Sequence, residues 1–242
     1  NPDTSYGQNS GVVNLYGKSN VVLRDFKIDG ASATYTDVTN DAIFVDWRTV
    51  GGANIHIKRI TVRDIAGTGV HALASSGQAS TDLWIEDCDL QDMANHGILS
   101  QDYISNVWIR RNRIKNWGLV VSDRVGITAS RSGSNVIISD NIVICSGSAV
   151  GTSVHGISID NTTSATCQGN IINNTVGFGI EVGMVTNGSI TGNTVSGCTR
   201  ASIALSGVHS TALRCINVSV TGNVVNDGDS AGIYAFITSG TG

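Results

Sequence analysis

Two carboxyl groups stand at comparable places in two similar segments of the sequence. Asp160 ends the segment HGISID (155–160), and Glu181 lies in the segment FGIEVG (178–183). If these segments are neighbouring strands aligned on their Gly-Ile pairs, the acids lie two residues out of register, about 8 Å apart on the diagonal. One carboxyl of such a pair can protonate a glycosidic oxygen while the other activates water, for which a separation of ~6.5–9.5 Å is typical. The alternative is that both are ordinary solvated surface acids.

His71 forms a second candidate catalytic pair, with Asp46, which the same alignment places on the preceding strand. A carboxylate beside a histidine holds one imidazole tautomer, and the ring can then act as a general base at neutral pH. Gln101 and Asp102 follow on the next strand and are predicted to contact a substrate. The alternative is a surface histidine that has an acid nearby.

Three further side chains are predicted to contact a substrate near the first pair of acids. Arg131 and His155 lie close enough in the alignment to tune the two carboxyl groups, and Tyr234 lies further along the same column of outward positions. No outward cluster of three acids appears, so neither a metal ion nor another cofactor is predicted.

A repeated strand must hold these side chains, and the sequence contains one. A phrase of the form Asn-Val-x-Ile-x-Asp-Asn-x-Ile recurs eight times, and its seventh residues are Phe26, Ile60, Cys88, Asn112, Asn141, Asn170, Asn193 and Asn223. Their spacing averages about 28 residues, within the range of repeat proteins. Each phrase alternates apolar and polar residues, as does a strand with one buried face. A second strand of the form Gly-Ile-x-small-x follows in most units, and such short strands bury a core only by stacking successive turns.

The repeat predicts an all-β parallel β-helix of about eight coils, as a single domain over residues 1–242. The recurrent asparagines are predicted to turn inward and to bond the coils above and below as a ladder, and asparagine also tolerates the left-handed backbone of a corner. Cys88 stands in the ladder column and Cys167 in an inward apolar position. Whether the other three cysteines pair stays open.

The composition limits the partners and the fold class. Only 14% of the residues are charged, and 29 Gly with a single Pro favour turns and strands over helices. The net charge is -4, whereas a nucleic-acid-binding surface needs a basic face. No stretch approaches the ~20 apolar residues of a transmembrane helix. Binding to nucleic acid and insertion into a membrane are therefore not expected.

Over essentially its full length, this repeat resembles that of the right-handed β-helix, or pectin-lyase-like, superfamily, and residues 11–30 are similar to the first coils of several members. Members include pectate and alginate lyases, polygalacturonases, mannuronan epimerases and phage tailspikes. The resemblance implies a substrate site on an outward strand face, where a long sheet can hold an extended sugar chain. His71 falls where alginate epimerases carry an Asp-Pro-His motif, which is absent here. His155 and Gly156 are similar to the Gly-His-Gly segment of polygalacturonases, except that Val154 replaces the first glycine.

Three functions follow as expectations. The first is an enzyme that processes an acidic polysaccharide, either as a lyase or epimerase through His71 or as a hydrolase through Asp160 and Glu181. The second is a tailspike-like homotrimer that binds a surface glycan without cleaving it, and the third is a structural or adhesive solenoid. The expected location is extracellular or on a virion surface. Because no polar cap is evident at either end and solenoids need caps, the sequence is expected either to be an excerpt of a longer chain or to meet other chains at its ends.

Overall fold

A computed structural model describes residues 10–30, 40–120, 123–145, 154–207, 215–226 and 231–237. Regular structure in these ranges consists of strands alone, as the repeat predicts. In chain order the strands are β1 (Ser10–Tyr16), β2 (Val21–Arg24), β3 (Lys27–Asp29), β4 (Asn40–Trp47), β5 (Ala53–Lys58), β6 (Thr61–Ile65), β7 (Val70–Ala74), β8 (Ser80–Glu86), β9 (Asp89–Met93), β10 (Ile98–Gln101), β11 (Ile104–Arg110), β12 (Arg113–Lys115), β13 (Val125–Ser130), β14 (Val136–Ser139), β15 (Ile142–Ile144), β16 (His155–Thr162), β17 (Ala165–Gln168), β18 (Ile171–Asn173), β19 (Ile180–Thr191), β20 (Thr194–Ser196), β21 (Ile203–Gly207), β22 (Ile216–Thr221), β23 (Val224–Asn226) and β24 (Ile233–Ile237).

The strands form three parallel sheets, and each coil contributes one strand to each sheet, except that β24 extends the first sheet alone within the described residues. The first sheet contains β1, β4, β7, β10, β13, β16, β19, β21 and β24; the second contains β2, β5, β8, β11, β14, β17, β19 and β22; the third contains β3, β6, β9, β12, β15, β18, β20 and β23. Strand β19 belongs to two sheets because it continues through the corner between them. Since each strand pairs with its equivalents in the coils before and after, the chain is a parallel β-helix, as predicted.

The core lies inside the coils and is made of stacked aliphatic side chains. One inward column of the first sheet is fully buried and consists of Ile43, Val70, Ile98, Ile127, Ile157, Ile180 and Ile203. Each such side chain stabilises the fold by about 1.5–3 kcal/mol relative to an exposed one. Successive side chains along each strand point alternately into the core and away from it, so every second side chain lies on the outer face of a sheet.

The predicted asparagine ladder is present, and all its members except the half-buried Asn223 are buried. Its members are Asn112, Asn141, Asn170, Asn193 and Asn223. In each step the side-chain Nδ2 and the backbone N–H of one asparagine donate to the Oδ1 of the asparagine one coil later, at 2.9–3.0 Å. Cys88 precedes the ladder in the same column, and its backbone N–H donates to Asn112 Oδ1. All five cysteines are free.

A corner column on the outside carries charges of alternating sign. It comprises Asp25, Arg59, Asp87, Arg111 and Asp140, all with left-handed backbone, followed by Gly169, Gly192 and Gly222. Arg59 donates to both carboxylate oxygens of Asp25, and Arg111 does the same to Asp87. Exposed pairs of this kind contribute little to stability, because water screens the two charges. Their alternation nevertheless avoids like charges on neighbouring coils.

Candidate functional site

The outer face of the first sheet carries two columns of side chains in the predicted register. One column contains Phe44, His71, Leu99, Thr128, Ser158, Glu181, Ala204 and Tyr234. The other contains Asp46, Leu73, Gln101, Ser130, Asp160, Gly183 and Ser206. Both columns were predicted to point outward, and their composition divides this face into two halves.

The first half of this face is buried, although its side chains point away from the core. Phe44, His71 and Leu73 are 3–4% exposed. The rings of Phe44 and His71 lie 5.0 Å apart, and the guanidinium of Arg48 covers the Phe44 ring at 5.7 Å. These outward positions were predicted to be accessible, but large side chains on adjacent coils shield one another from water.

The second half of the face is polar and holds a pocket of about 250 Å³. Its lining consists of Thr128, Ser130, Ser158, Asp160, Glu181, Gly183 and Ser206; we call it the acid pocket. Ser158 pairs with Glu181, and Asp160 pairs with Gly183. The two acids therefore lie on adjacent strands and two residues out of register, as predicted, and they face one pocket.

Gly183 leaves room between the polar groups of the neighbouring coils. A Cβ at this position would lie 2.9 Å from Asp160 Oδ1 and 2.9 Å from Ser206 Oγ. These atoms approach the glycine from the coil before and the coil after. Because Gly183 has no side chain, its backbone lines the acid pocket and leaves open the space between the Asp160 carboxylate and the Ser206 hydroxyl group.

The environment of Asp160 combines burial with a nearby cation. Burial raises the pKa of the Asp160 carboxyl, while the Arg131 guanidinium and the backbone N–H of Asn161 oppose that rise. Arg131 itself binds Asp102, with 2.6 Å between Arg131 Nε and Asp102 Oδ1. Burial also raises the pKa of Asp102, and the charge of Arg131 opposes it. Arg131 therefore acts on the charge of Asp160, while its guanidinium binds Asp102.

Glu181 is half-buried, and burial is the largest cause that raises the pKa of its carboxyl. A hydrogen bond with Ser206 lowers that pKa, the negative charge of Asp160 raises it further, and the positive charge of Arg200 lowers it. Neighbouring carboxyl groups in a partly dry site favour a state in which one holds a proton. Two acids in one pocket can in this way take different roles.

His155 lies at the corner beside the acid pocket and holds a structural hydrogen bond. Its Nδ1 accepts the backbone N–H of Phe178 on the next coil at 3.0 Å, and its ring stacks on the Phe178 ring at 5.2 Å. The Arg200 guanidinium lies 5.5 Å from the same Phe178 ring. His96 occupies the equivalent corner two coils earlier, and its Nδ1 accepts the N–H of Val125 at 3.1 Å. The recurrent His-Gly segments thus satisfy backbone groups at corners.

Both corner imidazoles are kept neutral. Burial lowers the pKa of His96 to about 3 and that of His155 to about 4, and nearby arginines add to both effects. A folded state that holds these rings neutral loses stability as the pH falls from the ordinary histidine pKa of ~6.5 towards the folded values, because the unfolded chain takes up protons first.

We expect the His155→Asn variant to lose part of this acid sensitivity. Asn retains an oxygen that can accept the Phe178 N–H but does not titrate. The stability difference between variant and wild type should move in favour of the variant by about 1–2 kcal/mol between pH 7 and pH 4.5. Denaturant unfolding at several pH values measures it, and a difference that is constant with pH would contradict the assignment. The comparison of two chains cancels the opposite contribution of the acid pocket.

The partner of His71 differs from the one that was predicted. His71 Nδ1 lies 2.8 Å from Asp41 Oδ2, and Asp41 Oδ1 accepts the backbone N–H of Thr68 at 2.7 Å. Asp46 instead accepts from Arg48 through both carboxylate oxygens, so it is not the acid that orients His71. With Nδ1 on Asp41, His71 Nε2 is buried and has no hydrogen-bond partner within the described residues.

The remaining predicted contacts fall at different distances from the acid pocket. Gln101 is 7% exposed and lies in the buried half of the face. Tyr234 is 49% exposed and lies two coils beyond Glu181 in the same column, with Ala204 between them. Since coils are ~4.8 Å apart, Tyr234 is about one to two sugar units from Glu181.

Comparisons with known proteins place this fold in a family. The family model described as right-handed β-helix region matches residues 47–213, which is more than half of the chain. The chain belongs to this family. As a right-handed β-helix, it shares its architecture with solved structures of polysaccharide-modifying and phage proteins, while no curated protein sequence matches it.

Three solved right-handed β-helix structures illustrate this likeness. The A-module of mannuronan C-5 epimerase AlgE4 from Azotobacter vinelandii is 17% identical, with a TM-score of 0.56 over 95% of this chain and 74% of that chain. The AlgE6 A-module of the same organism is 19% identical, with a TM-score of 0.56 over 94% of this chain and 68% of that one. The enzymatically active domain of tailspike protein 2 from bacteriophage CBA120 is 14% identical, with a TM-score of 0.50 over 96% of this chain and 37% of that one. At these identities the likeness is one of fold.

The described part of this β-helix contains neither a cluster of metal ligands nor a membrane-spanning helix. No three His, Cys, Asp or Glu side chains converge there as metal ligands would. The described residues also contain no helix that is long and apolar enough to cross a membrane.

Proposed function

We propose that the chain hydrolyses a polysaccharide, with Asp160 and Glu181 as the catalytic pair. The observation that carries this proposal is the acid pocket itself, in which two carboxyl groups on adjacent coils face a common space otherwise lined by hydroxyl groups and a glycine. Hydroxyl groups suit a sugar because they donate and accept hydrogen bonds. The extended sheet face on either side provides room for a sugar chain outside the scissile bond.

Glu181 is the general acid in this proposal, and Asp160 is the general base. Burial and the charge of Asp160 raise the pKa of Glu181, which favours the protonated form that a general acid needs, while Ser206 and Arg200 oppose that rise. Asp160 is better able to remain a carboxylate because Arg131 and a backbone N–H stabilise its charge. Glu181 would protonate the leaving glycosidic oxygen while Asp160 takes a proton from the attacking water. The diagonal of about 8 Å between their positions suits the insertion of water and predicts inversion at the anomeric carbon.

A panel of polysaccharides tests the reaction class. Cleavage by the proposed route releases new reducing ends without forming an unsaturated sugar, so a reducing-end assay should respond and ultraviolet absorbance of the products should not. Nuclear magnetic resonance of the first product formed should show inversion of the anomeric centre. Products that carry a double bond would assign a lyase and contradict the hydrolase proposal.

The Gly183→Ala variant tests whether the acid pocket holds the substrate. The added methyl group points between Asp160 Oδ1 and Ser206 Oγ, which are the ends of side chains and can shift, and Gly183 does not have the positive φ that would strain alanine. We expect about tenfold lower kcat/KM because the reacting groups are displaced, with an unchanged or higher thermal midpoint. The control is Ser164→Ala, in the connection between β16 and β17, which should keep full activity.

A second candidate function rests on His71. Its Nδ1 is fixed by Asp41, and its buried Nε2 lacks a partner among the described residues, which is the arrangement of an oriented general base. Such a base supports a lyase or epimerase acting on C5 of a uronic acid in an acidic polysaccharide. Exchange of the C5 hydrogen with deuterated water, lost in His71→Gln and retained in Glu181→Gln, would favour this function over the first.

A further inference from the structure

We propose that the glycan accepted by the acid pocket carries no negative charge on the two sugar units that flank the scissile bond; this inference rests on the proposed hydrolase function. It excludes uronic acids, sulfated sugars and phosphorylated sugars from those two positions. Uncharged hexoses are the substrate class that it names.

The lining of the acid pocket contains two acids and no cation. Asp160 and Glu181 are its charged members, and the other lining residues are Thr128, Ser130, Ser158, Gly183 and Ser206. A carboxylate on the substrate would thus enter a space whose fixed ionisable groups have the same sign. In contrast, the hydroxyl groups of the lining can donate hydrogen bonds to the hydroxyl groups of a neutral sugar and accept hydrogen bonds from them, without electrostatic repulsion.

The cations nearest to the pocket are already engaged. Arg131 binds Asp102, with Nε 2.6 Å from Oδ1 and Nη2 3.3 Å from Oδ2. Arg200 lies outside the lining and covers the Phe178 ring at 5.5 Å. His155 cannot replace them, because its Nδ1 accepts a backbone N–H and its ring is stacked on Phe178. No described side chain therefore presents a free charge-neutralising group inside the pocket.

The expected discrimination follows from Coulomb's law. An added carboxylate at about 7 Å from an ionised acid, in a partly exposed site, weakens binding by roughly tenfold for that pair at low salt. Salt screens this repulsion, because the Debye length is ~10 Å at 0.1 M. A neutral substrate should show no such dependence on ionic strength.

Matched polymers test the proposal. The probes are a glucan, a mannan and a galactan, each with a counterpart whose C6 hydroxyl groups have been oxidised to carboxylates, and polygalacturonate and alginate with their carboxyl-reduced forms. We expect cleavage of at least one uncharged polymer, with kcat/KM at least tenfold lower for its oxidised counterpart and partly restored by added salt. Preferential cleavage of the charged member of a pair, independent of salt, would overturn the inference.

A variant that introduces a positive charge into the acid pocket gives a second, independent readout. Ser158 is paired with Glu181 and lies in the lining, so Ser158→Lys places a cation in the pocket, and Ser158→Gln is the matched uncharged control. The ratio of kcat/KM for the oxidised polymer to that for its parent should rise about tenfold in Ser158→Lys relative to Ser158→Gln. An unchanged ratio would contradict an electrostatic origin of the selectivity.

Failure of this inference and failure of the proposed function give different results. If charged polymers are the better substrates but cleavage still requires Asp160 and Glu181, the hydrolase stands and the substrate class is wrong. If cleavage of every polymer is unaffected by Asp160→Asn and Glu181→Gln, the acid pocket is not the catalytic site, and both proposals are wrong.

Discussion

Replacing Glu181 with Gln is expected to lower the rate of glycan hydrolysis by about 10²–10⁴-fold. Gln preserves the shape of the side chain and its hydrogen bond with Ser206, but it cannot donate a proton to the leaving oxygen. The loss should appear in kcat for substrates with a poor leaving group and be smaller for an aryl glycoside that needs no protonation. Reducing-end assays on a cleaved polymer and on an activated glycoside measure the two cases. Equal losses on both would argue against an acid role.

The same variant should be more stable than the wild type at neutral pH. The pKa of Glu181 is raised in the folded state, so the ionised carboxyl is less favourable in the folded chain than in the unfolded chain. At pH 7 the ionised carboxyl therefore opposes folding. Glu181→Gln removes that penalty, and its advantage should vanish at a pH below the ordinary glutamic acid pKa of ~4.3. Thermal unfolding at about pH 7 and pH 3.5 tests this sign.

Glu86→Gln is the matched control for both effects. Glu86 lies on the second sheet and binds Arg110, away from the acid pocket. The control should keep full activity and should not gain stability at neutral pH, since it loses an ion pair. Loss of activity in the control would indicate that glutamate replacement disturbs the helix in general.

Replacing Asn141 with Ala is expected to destabilise the fold by about 3–5 kcal/mol. Asn141 is fully buried, and its side chain forms hydrogen bonds in both directions along the ladder. Its Oδ1 accepts from the backbone and side chain of Asn112, and its Nδ2 donates to Ile109 O and Asn170 Oδ1. Alanine leaves these partners buried and unpaired, because the interior gives no access to water. Denaturant unfolding of the variant measures the loss.

An exposed asparagine provides the comparison for Asn141. Asn135 is exposed, has φ +64 and donates from Nδ2 to Asn106 Oδ1 at 3.1 Å. Asn135→Gly keeps the left-handed backbone accessible and should change stability by less than about 1 kcal/mol. If the two variants lost the same stability, the inward ladder would have no special role.

The repeat predicted the fold and part of the site for one reason. Hydrogen bonding between coils fixes the register, so a repeated Gly-Ile pair is enough to place Asp160 and Glu181 on adjacent strands and diagonal to one another. The ladder was predictable for the same reason. A period in sequence is also a period in space when every strand pairs with its own successor.

Groups that lie off this period were missed. Asp41 lies in β4 three residues before Phe44, the residue that pairs with His71, so the alignment of strands did not bring the two side chains together. No role was predicted for Gly183 or Ser206, because neither is ionisable and their importance arises only from their contact with the space beside Asp160. The positive charge of Arg200 is visible in the sequence, but its position over the Phe178 ring depends on the geometry of the corner and could not be predicted.

The direction of the asparagine ladder has a consequence for hydrogen exchange. All its side-chain amides point the same way, and the backbone N–H groups of Asn112, Asn141, Asn170 and Asn193 each donate to an oxygen of the following coil. Aligned amide chains polarise one another, so the middle links are stronger than the terminal ones. None of these four protons can reach solvent unless two coils separate. Their exchange rates therefore report the opening of the solenoid one coil at a time, with the slowest exchange at Asn141 and Asn170.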